Sequence, residues 1–248
     1  MVGVLSDIGN YRSINQDSVG YIEDDDKKLY IIADGMGGHN AGEVASKIAV
    51  DSTIEYIKNS SSNENLDKGK MFIDSIKYAN IKIYDEALKD ERLMGMGTTI
   101  TACYIEGSHM LIANVGDSSC YVVSSSQIKK ITKDHSLVQQ LIDNGSITEE
   151  EAVSHPNKNI ITRALGIKKD VDVDLYRMEI SSDMKVVLCT DGLTNYVTKD
   201  EIFNIVNNNN NKKACEKLIE LSKRKNGRDN ISVIAFGGCD KGDDKDDR

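Results

Sequence analysis

Apolar and polar positions along this chain follow two different periods. Short apolar or alternating runs predict β-strands, and a spacing of three and four between apolar positions predicts helices. The predicted strands cover residues 2–5, 18–22, 29–33, 98–105, 109–115, 119–123, 128–132, 172–179, 185–190 and 231–236. The longer predicted helices cover residues 41–58, 70–88, 198–206 and 212–224. Short polar breaks between the strands of 98–123 predict an antiparallel meander there.

Residues 135–170 interrupt the succession of strands. A short helix is predicted at 137–143 with Gly145 after it as a C-cap, and Thr148 begins a capping box with Glu151. Pro156, the only proline of the chain, ends the second short helix. We expect this segment to form a helical flap inserted between strands near the site. One domain is expected over residues 1–238, and the charged residues 239–248 are expected to be disordered.

The composition is that of an ordinary globular protein and argues against several functions. The 248 residues are 39% hydrophobic and carry a formal net charge of −9. This acidity argues against a nucleic-acid binder, which needs a basic face. No apolar run is long enough to cross a membrane, and residues 1–12 lack the pattern of a signal peptide. Five dispersed cysteines fit reduced thiols, so we expect a cytoplasmic protein without membrane insertion.

Four aspartates stand where predicted strands end or begin. Asp34 follows the run 29–33, Asp117 follows 109–115, and Asp191 follows 185–190. Asp229 precedes the run 231–236. Carboxylates that converge on one edge of a sheet, beside glycines that admit backbone oxygens, suit hard cations such as Mg²⁺ and Mn²⁺. A single Asp-Gly pair is better explained as a surface turn, but the recurrence of the pattern favours a metal site.

A polar loop before the strand at 18–22 adds two candidate residues. Arg12 carries a planar guanidinium that can bind phosphate at two points. Asp17 is a candidate to hold metal-bound water. In isolation each of the two is better explained as an exposed loop charge. The chain has neither the Cys-x5-Arg loop of thiol-dependent phosphatases nor a G-x-x-x-x-G-K-[ST] nucleotide loop.

The motifs of this chain, taken in order, resemble those of a known family. They are Arg12-x-x-Asn15-Gln16-Asp17, Asp34-Gly35-Met36-Gly37-Gly38-His39, Gly97-Thr98-Thr99, Gly116-Asp117-Ser118, Asp134-His135-Ser136, Thr162-Arg163-Ala164-Leu165-Gly166, Asp191-Gly192-Leu193 and Asp229-Asn230-Ile231. Together they resemble the metal-dependent Ser/Thr protein phosphatases of the type 2C (PPM) family over nearly the whole chain. Met36 after the first Asp-Gly resembles the bacterial branch, because eukaryotic relatives carry a His there.

The resemblance implies an α+β fold, a four-layer α-β-β-α sandwich of two antiparallel sheets flanked by helices, with a small helical flap. It implies that Asp34 bridges two metals and that Gly35 gives a backbone carbonyl to one of them. Asp191 and Asp229 would complete the shell of the second metal. Asp117, with Asp191, matches a third metal site of bacterial members. The implied cofactors are two or three Mn²⁺ or Mg²⁺ ions per chain.

The resemblance also implies a reaction and its partners. Phosphoserine and phosphothreonine would be hydrolysed by a metal-bridging hydroxide, with Arg12 holding the phosphate and Asp17 holding metal-bound water. His39 is a candidate acid for the leaving oxygen, and a structural role in its loop is the alternative. The expected partners are phosphorylated proteins, among them a bacterial Ser/Thr kinase and its substrates, and no nucleic acid. A monomer is the default.

Three other functions remain open from the sequence. A catalytically weak phosphoprotein-binding module on the same fold would have lost a metal acid, yet all four strand-end acids are present. A metal nuclease or another phosphoester hydrolase is the second alternative, and the net acidity and the lack of a basic channel argue against long nucleic acid as its substrate. A purely structural domain would not need four such acids in this order. The phosphoprotein-binding module is therefore the main alternative to a phosphatase.

Overall fold

The computed structural model describes residues 1–24, 27–37, 41–60 and 67–237. His39 and the expected tail at 239–248 lie outside the described residues. The strands are β1 (Gly3–Asp7), β2 (Asp17–Glu23), β3 (Lys27–Met36), β4 (Gly97–Thr98), β5 (Ile100–Glu106), β6 (His109–Val115), β7 (Ser119–Val123), β8 (Ile128–Lys130), β9 (Asp174–Glu179), β10 (Lys185–Cys189) and β11 (Ile231–Gly237). The helices are α1 (Ala41–Ser60), α2 (Lys68–Ala87), α3 (Leu137–Asp143), α4 (Glu149–Val153), α5 (Asp191–Thr194), α6 (Lys199–Asn207) and α7 (Asn211–Arg224).

The strands form two antiparallel sheets. Sheet 1 has the order β1-β11-β10-β7-β8, and sheet 2 has the order β2-β3-β5-β6-β9 with the short β4 paired to the end of β3. The hairpin of β2 and β3, which the sequence predicted, places Asp17 directly opposite Asp34 in the register. In sheet 1, β11 lies between β1 and β10, so the first strand and the last described strand are neighbours in one sheet.

The apolar core has three layers of contact, one between the sheets and one outside each of them. Between the sheets, the rings of Tyr30 and Phe236 stack with their centroids 3.8 Å apart. Outside sheet 2, α1 and α2 bury residues such as Phe72 against the strands. Outside sheet 1, α6 and α7 do the same with residues such as Leu218. The predicted α-β-β-α sandwich is confirmed.

The long apolar runs of the sequence follow from burial on both faces of each sheet. In β3, Ile31 and Ala33 pack towards the helices, whereas Tyr30 and Ile32 pack towards the other sheet. A strand that is covered on both sides has no polar face, so its sequence does not alternate. Of the helices that the described residues form, none is sufficiently long and apolar to span a bilayer.

The predicted meander over 98–123 is wrong in its third strand. β5 and β6 pair as expected, but β7 leaves sheet 2 and pairs with β8 and β10 in sheet 1. The other side of β6 is taken by β9. The chain changes sheets at Gly116, whose φ of 110° suits glycine and whose missing Cβ leaves room for the side chain of Thr99. This change of sheet brings the turn with Asp117 to the junction of the two sheets.

The expected flap lies between β8 and β9 and contains α3 and α4. The capping box of α4 is formed, since the Thr148 Oγ1 accepts from the Glu151 N–H and the Glu151 carboxylate accepts from the Thr148 N–H. Gly145 has a φ of 73° after α3, as a C-cap requires. A bridge between Ser136 and Ile161 closes the base of the segment.

Candidate metal centre

The four strand-end aspartates come from both sheets. Asp34 ends the buried part of β3 and Asp117 follows β6, both in sheet 2. Asp191 follows β10 and begins α5, and Asp229 precedes β11, both in sheet 1. The sequence predicted convergence on one edge of one sheet. This is corrected by the structure, where the ends of two stacked sheets contribute two acids each.

The backbone of Asp34 is held on both sides by two threonines. Its N–H donates to the Oγ1 of Thr99 over 2.9 Å, and its carbonyl accepts from the Thr99 N–H and the Thr98 Oγ1 over 2.8 and 2.9 Å. Both threonines are fully buried. The Gly97-Thr98-Thr99 motif therefore fixes Asp34, a role that the sequence analysis did not assign.

Gly35 lies where a side chain has no room. Its N–H donates to the carbonyl of Gln16 over 3.0 Å, and a Cβ at this position would overlap the carbonyl of Gly42 in α1. The close approach of strand, loop and helix requires glycine here. It places the backbone of Gly35 beside the loop that leads to Asp17.

Asp17 is buried with one oxygen satisfied and one left free. Its Oδ2 accepts from the Ser232 Oγ over 2.7 Å and from the Thr190 Oγ1 over 3.0 Å. Its Oδ1 is buried and has no hydrogen-bond partner among the described residues. Burial raises the pKa of Asp17 to about 7, against the effect of these two hydrogen bonds. The free oxygen is an acceptor without a donor inside the cluster.

The other buried acids also resist ionisation in the absence of a cation. Burial and then the charge of Asp191 raise the pKa of Asp117 to about 8. Burial and then the charge of Asp229 raise the pKa of Asp191 to about 6. The pKa of Asp34 is well above its usual range, because it is buried and because Asp17, Asp191, Asp117 and Asp229 all repel its charge. Asp34 therefore lies at the centre of the cluster.

The donor set fits a hard divalent cation. Its members are carboxylates, and the Oδ1 atoms of Asp17, Asp117 and Asp191 are buried without a hydrogen-bond partner in the described part of the chain. Cations would relieve the repulsion that raises the pKa values. As they stand, however, no three acidic, His or Cys side chains of the described residues are grouped to hold one ion. The chemistry of the site fits metal, and its shell is still incomplete.

Arg12 accounts for part of this incompleteness, because it engages Asp229. The guanidinium donates from Nε to Oδ1 and from Nη2 to Oδ2, both over 2.9 Å. This hydrogen-bonded pair raises the pKa of Arg12. The sequence assigned Arg12 to phosphate and Asp229 to metal, whereas here the two bind each other. Either assigned role requires this ion pair to open.

Asn230 is a residue of the site whose role the sequence does not reveal. Its Oδ1 accepts from the Gln16 N–H over 2.9 Å, and its Nδ2 donates to the carbonyls of Ile8 and Ile14 over 3.0 Å each. One buried amide thus fixes the loop that carries Arg12 and leads to Asp17. The only signal in the sequence was its position directly after Asp229.

Two histidines, His135 and His155, belong to the flap segment. His135 is buried, and its Nδ1 accepts from the N–H of Gly116, the neighbour of Asp117, over 3.0 Å. Its Nε2 lies 3.2 Å from the Asp174 Oδ2, and burial lowers the pKa of His135. His155 accepts from the N–H of Asn157 in a local turn. His135 therefore joins the base of the flap to the turn that bears Asp117.

Residues 11–222 match the model of the family described as Protein phosphatase 2C. The chain belongs to this family. One similar protein is the "Serine/threonine phosphatase stp" of Listeria innocua, whose sequence is 36% identical over 92% of each chain. The family membership agrees with the motifs of the sequence, which span nearly all of the chain.

Solved structures of other phosphatase 2C proteins have the same fold. Serine/threonine phosphatase Stp1 from Staphylococcus aureus superposes with a TM-score of 0.89 at 34% identity, over 95% of this chain and 94% of the other. The catalytic domain of the serine/threonine protein phosphatase PstP, solved in complex with two manganese ions, gives a TM-score of 0.85 at 32% identity, over 96% of this chain and 98% of the other. The phosphatase 2C fold of this chain is therefore confirmed.

Proposed function

We propose that this chain is a metal-dependent protein phosphatase that hydrolyses phosphoserine and phosphothreonine. The observation that carries the proposal is the cluster around Asp34, where burial and mutual repulsion raise the pKa of that acid and the Oδ1 atoms of Asp17, Asp117 and Asp191 have no hydrogen-bond partner among the described residues. Membership of the phosphatase 2C family and relatives named as serine/threonine phosphatases support the same reaction.

The cofactors proposed for the site are two Mn²⁺ or Mg²⁺ ions, with a third at Asp117 and Asp191. The residues that would hold the first two are Asp34, the backbone carbonyl of Gly35, Asp191 and Asp229. Such ions supply hydroxide from bound water at neutral pH and hold phosphate oxygens. The two manganese ions of the PstP catalytic domain support this number.

The residues of the chain position the reactants. Asp17, fixed by Ser232 and Thr190, offers its free Oδ1 to a water molecule. Arg12 is half-exposed at the edge of the cluster, and its fork-shaped guanidinium can exchange the carboxylate of Asp229 for the oxygens of a phosphate. Asp229 would be free to hold a metal ion once Arg12 no longer engages it.

His39 stays our candidate for the acid that gives a proton to the leaving oxygen, and it lies outside the described residues. The proposed domain covers residues 1–238, with residues 135–170 as its flap. We further propose a monomer in the cytoplasm that opposes a Ser/Thr kinase and acts on its substrates. The phosphoprotein-binding alternative has no observation in its favour, because each of the strand-end acids is retained.

Phosphate release from a phosphothreonine peptide tests this proposal. We expect release with Mn²⁺, none with EDTA, and a loss of at least about 10³-fold in Asp191→Ala, since the variant removes a metal ligand. Asp51→Ala, which removes an exposed acid of α1, is the matched control and should behave as the unchanged protein. Folded protein that binds Mn²⁺ but releases no phosphate would contradict the proposal and favour the phosphoprotein-binding module.

A further inference from the structure

A groove lies between the flap and the body of the protein and includes part of the acid cluster. Its volume is about 590 Å³, and Asp117 and Asp191 belong to its lining. The flap side is formed by residues of α3 and α4, and the opposite side by residues from α5 to the start of α6. A phosphate monoester bound at the cluster would therefore continue into this groove.

The charges along the groove are unevenly compensated. Lys130 is paired with Asp134, with Nζ 2.7 and 2.8 Å from the two carboxylate oxygens. Lys158 and Lys199 also line the groove, and no ion pair to either is formed by the described residues. Apart from the candidate metal ligands and this pair, the charged lining consists of the two lysines and Glu149. Away from the cluster, the side chains that line the groove therefore carry two positive charges and one negative charge.

The flap wall of the groove includes an apolar patch. Ile142 of α3 and Val153 of α4 line it, and Val153 is 71% exposed. Val153 and Ile142 therefore offer apolar surface to an occupant of the groove. A substrate as small as a phosphorylated side chain would not reach this wall as well as the cluster. The occupant that fits is a polypeptide segment, with apolar and charged side chains on either side of the reacting residue.

We propose that the groove binds the segment flanking the phosphorylated residue, and that Lys158 and Lys199 select acidic side chains in that segment. This rests on the proposed phosphatase function. The segment contacts Val153 and Ile142 with its apolar side chains, while its acidic side chains pair with the two lysines. Charge complementarity of this kind sets specificity and association rate.

The size of the preference follows from the exposure of the lysines. Lys199 is exposed and Lys158 is half-buried, so each ion pair with a substrate is worth little by itself. Together the two pairs should give a preference of about three- to tenfold in kcat/KM. Because exposed pairs are screened by salt, the preference should fall as ionic strength rises.

Two phosphothreonine peptides of the same length test the proposal. One carries glutamates two to four residues away on both sides of the phosphothreonine, and the other carries glutamines there. The measured quantity is the ratio of kcat/KM between them with Mn²⁺ present. We expect a ratio of about three to ten for the unchanged protein, and a ratio at or below one for the double variant Lys158→Glu, Lys199→Glu.

Two matched variants test where the effect originates. Lys47→Glu changes an exposed lysine of α1 outside the groove and should leave the ratio as it is. Glu149→Gln removes the uncompensated acid of the groove and should raise the ratio. The ratio is taken within each variant, so a general loss of folding does not imitate the effect.

The outcomes separate this proposal from the function on which it rests. Equal kcat/KM for both peptides in the unchanged protein, or a ratio that survives the double charge reversal, would overturn the groove proposal and leave the phosphatase intact. Failure to hydrolyse either peptide and also p-nitrophenyl phosphate with Mn²⁺ would instead overturn the phosphatase function itself.

Discussion

The contact between Arg12 and Asp229 joins two residues that the sequence assigned to different tasks. Their two hydrogen bonds of 2.9 Å hold an acid needed for metal against a guanidinium needed for phosphate. In addition, the positive charge of Arg12 lies close enough to Asp34 and Asp191 to interact with them. Arg12 therefore opposes cation binding by charge and by occupation of a ligand.

Arg12→Ala should bind Mn²⁺ more tightly and turn over substrate more slowly. Removing the guanidinium frees Asp229 and leaves the acid cluster more negative, so we expect several-fold higher affinity in calorimetric titration. Without the phosphate clamp, kcat/KM for a phosphothreonine peptide should fall by about 10²-fold or more. Arg12→Lys, which keeps the charge but not the planar fork, should lie between the two. Weaker Mn²⁺ binding by Arg12→Ala would contradict the competition.

Other residues of the site had no pattern by which the sequence could reveal their roles. Thr99 and Asn230 act through backbone groups of Asp34 and of Ile8 and Ile14, and any polar residue in an apolar neighbourhood looks the same in the sequence. The pairing of Arg12 with Asp229 joins positions 217 apart. The acids themselves were predictable because each stands at the boundary of an apolar run.

At the scale of elements, the short β4 and the end of β3 form the support of the centre. β4 pairs with Gly35 and Met36, and Thr99 directly after it receives the N–H of Asp34 and contacts the Ser118 Oγ over 2.8 Å. This threonine connects the strand of Asp34 with the turn that carries Asp117. The Thr99 hydroxyl thus links the backbone of Asp34 to the turn of Asp117.

Thr99→Val should destabilise the protein and loosen its hold on metal. The variant keeps the shape of the side chain but leaves the Asp34 N–H buried without an acceptor, which costs about 1–3 kcal/mol of unfolding free energy. Mn²⁺ affinity should fall as well, because Asp34 is no longer fixed. Thr99→Ser keeps the hydroxyl and should retain most of both. Urea denaturation with EDTA and a Mn²⁺ titration measure the two effects, and equal values for the valine and serine variants would refute the role.

The elements that the sequence predicted correctly are those that local pattern determines. Strands with apolar faces on both sides and helices with capping boxes, such as those at Thr148 and Thr198, were found at nearly their observed limits. The sheet to which β7 belongs was not predicted correctly. Its partner β10 lies far away along the chain, and the residues of β7 are apolar on both faces, so the local pattern does not indicate which sheet it joins. Register and sheet membership depend on such long-range pairs.

At the scale of the whole molecule, a chain with a formal net charge of −9 places several of its aspartates together in one buried cluster. Burial and mutual repulsion raise the pKa of Asp191 to about 6, of Asp17 to about 7 and of Asp117 to about 8. In the unfolded chain such groups titrate near 4. At a pH between the unfolded and the folded pKa values, the metal-free folded protein therefore keeps protons that the unfolded chain has already lost.

This difference fixes the sign of the pH dependence of stability. Where the folded state binds more protons than the unfolded state, the free energy of unfolding falls as pH rises. The EDTA-treated protein should therefore lose several kcal/mol of stability between pH 5 and pH 8, about 7 kcal/mol for the three acids together. With saturating Mn²⁺ the trend should reverse, because the ions bind deprotonated carboxylates and bind them better at higher pH. Urea denaturation at four pH values, with EDTA and with Mn²⁺, measures both slopes.

Two variants test whether the pH dependence of stability comes from the buried cluster or from acids on the surface. Asp117→Asn removes the acid whose pKa is raised to about 8, so the EDTA slope should flatten across pH 5 to 8 and the metal-free protein should become more stable than the unchanged protein above pH 7. Asp51→Asn removes an equal charge from the exposed side of α1 and should leave both slopes unchanged. Stability that rises with pH in EDTA would mean that the cluster is ionised and relaxed without metal. In that case the repulsion inferred from its burial would not be the reason for its affinity for cations.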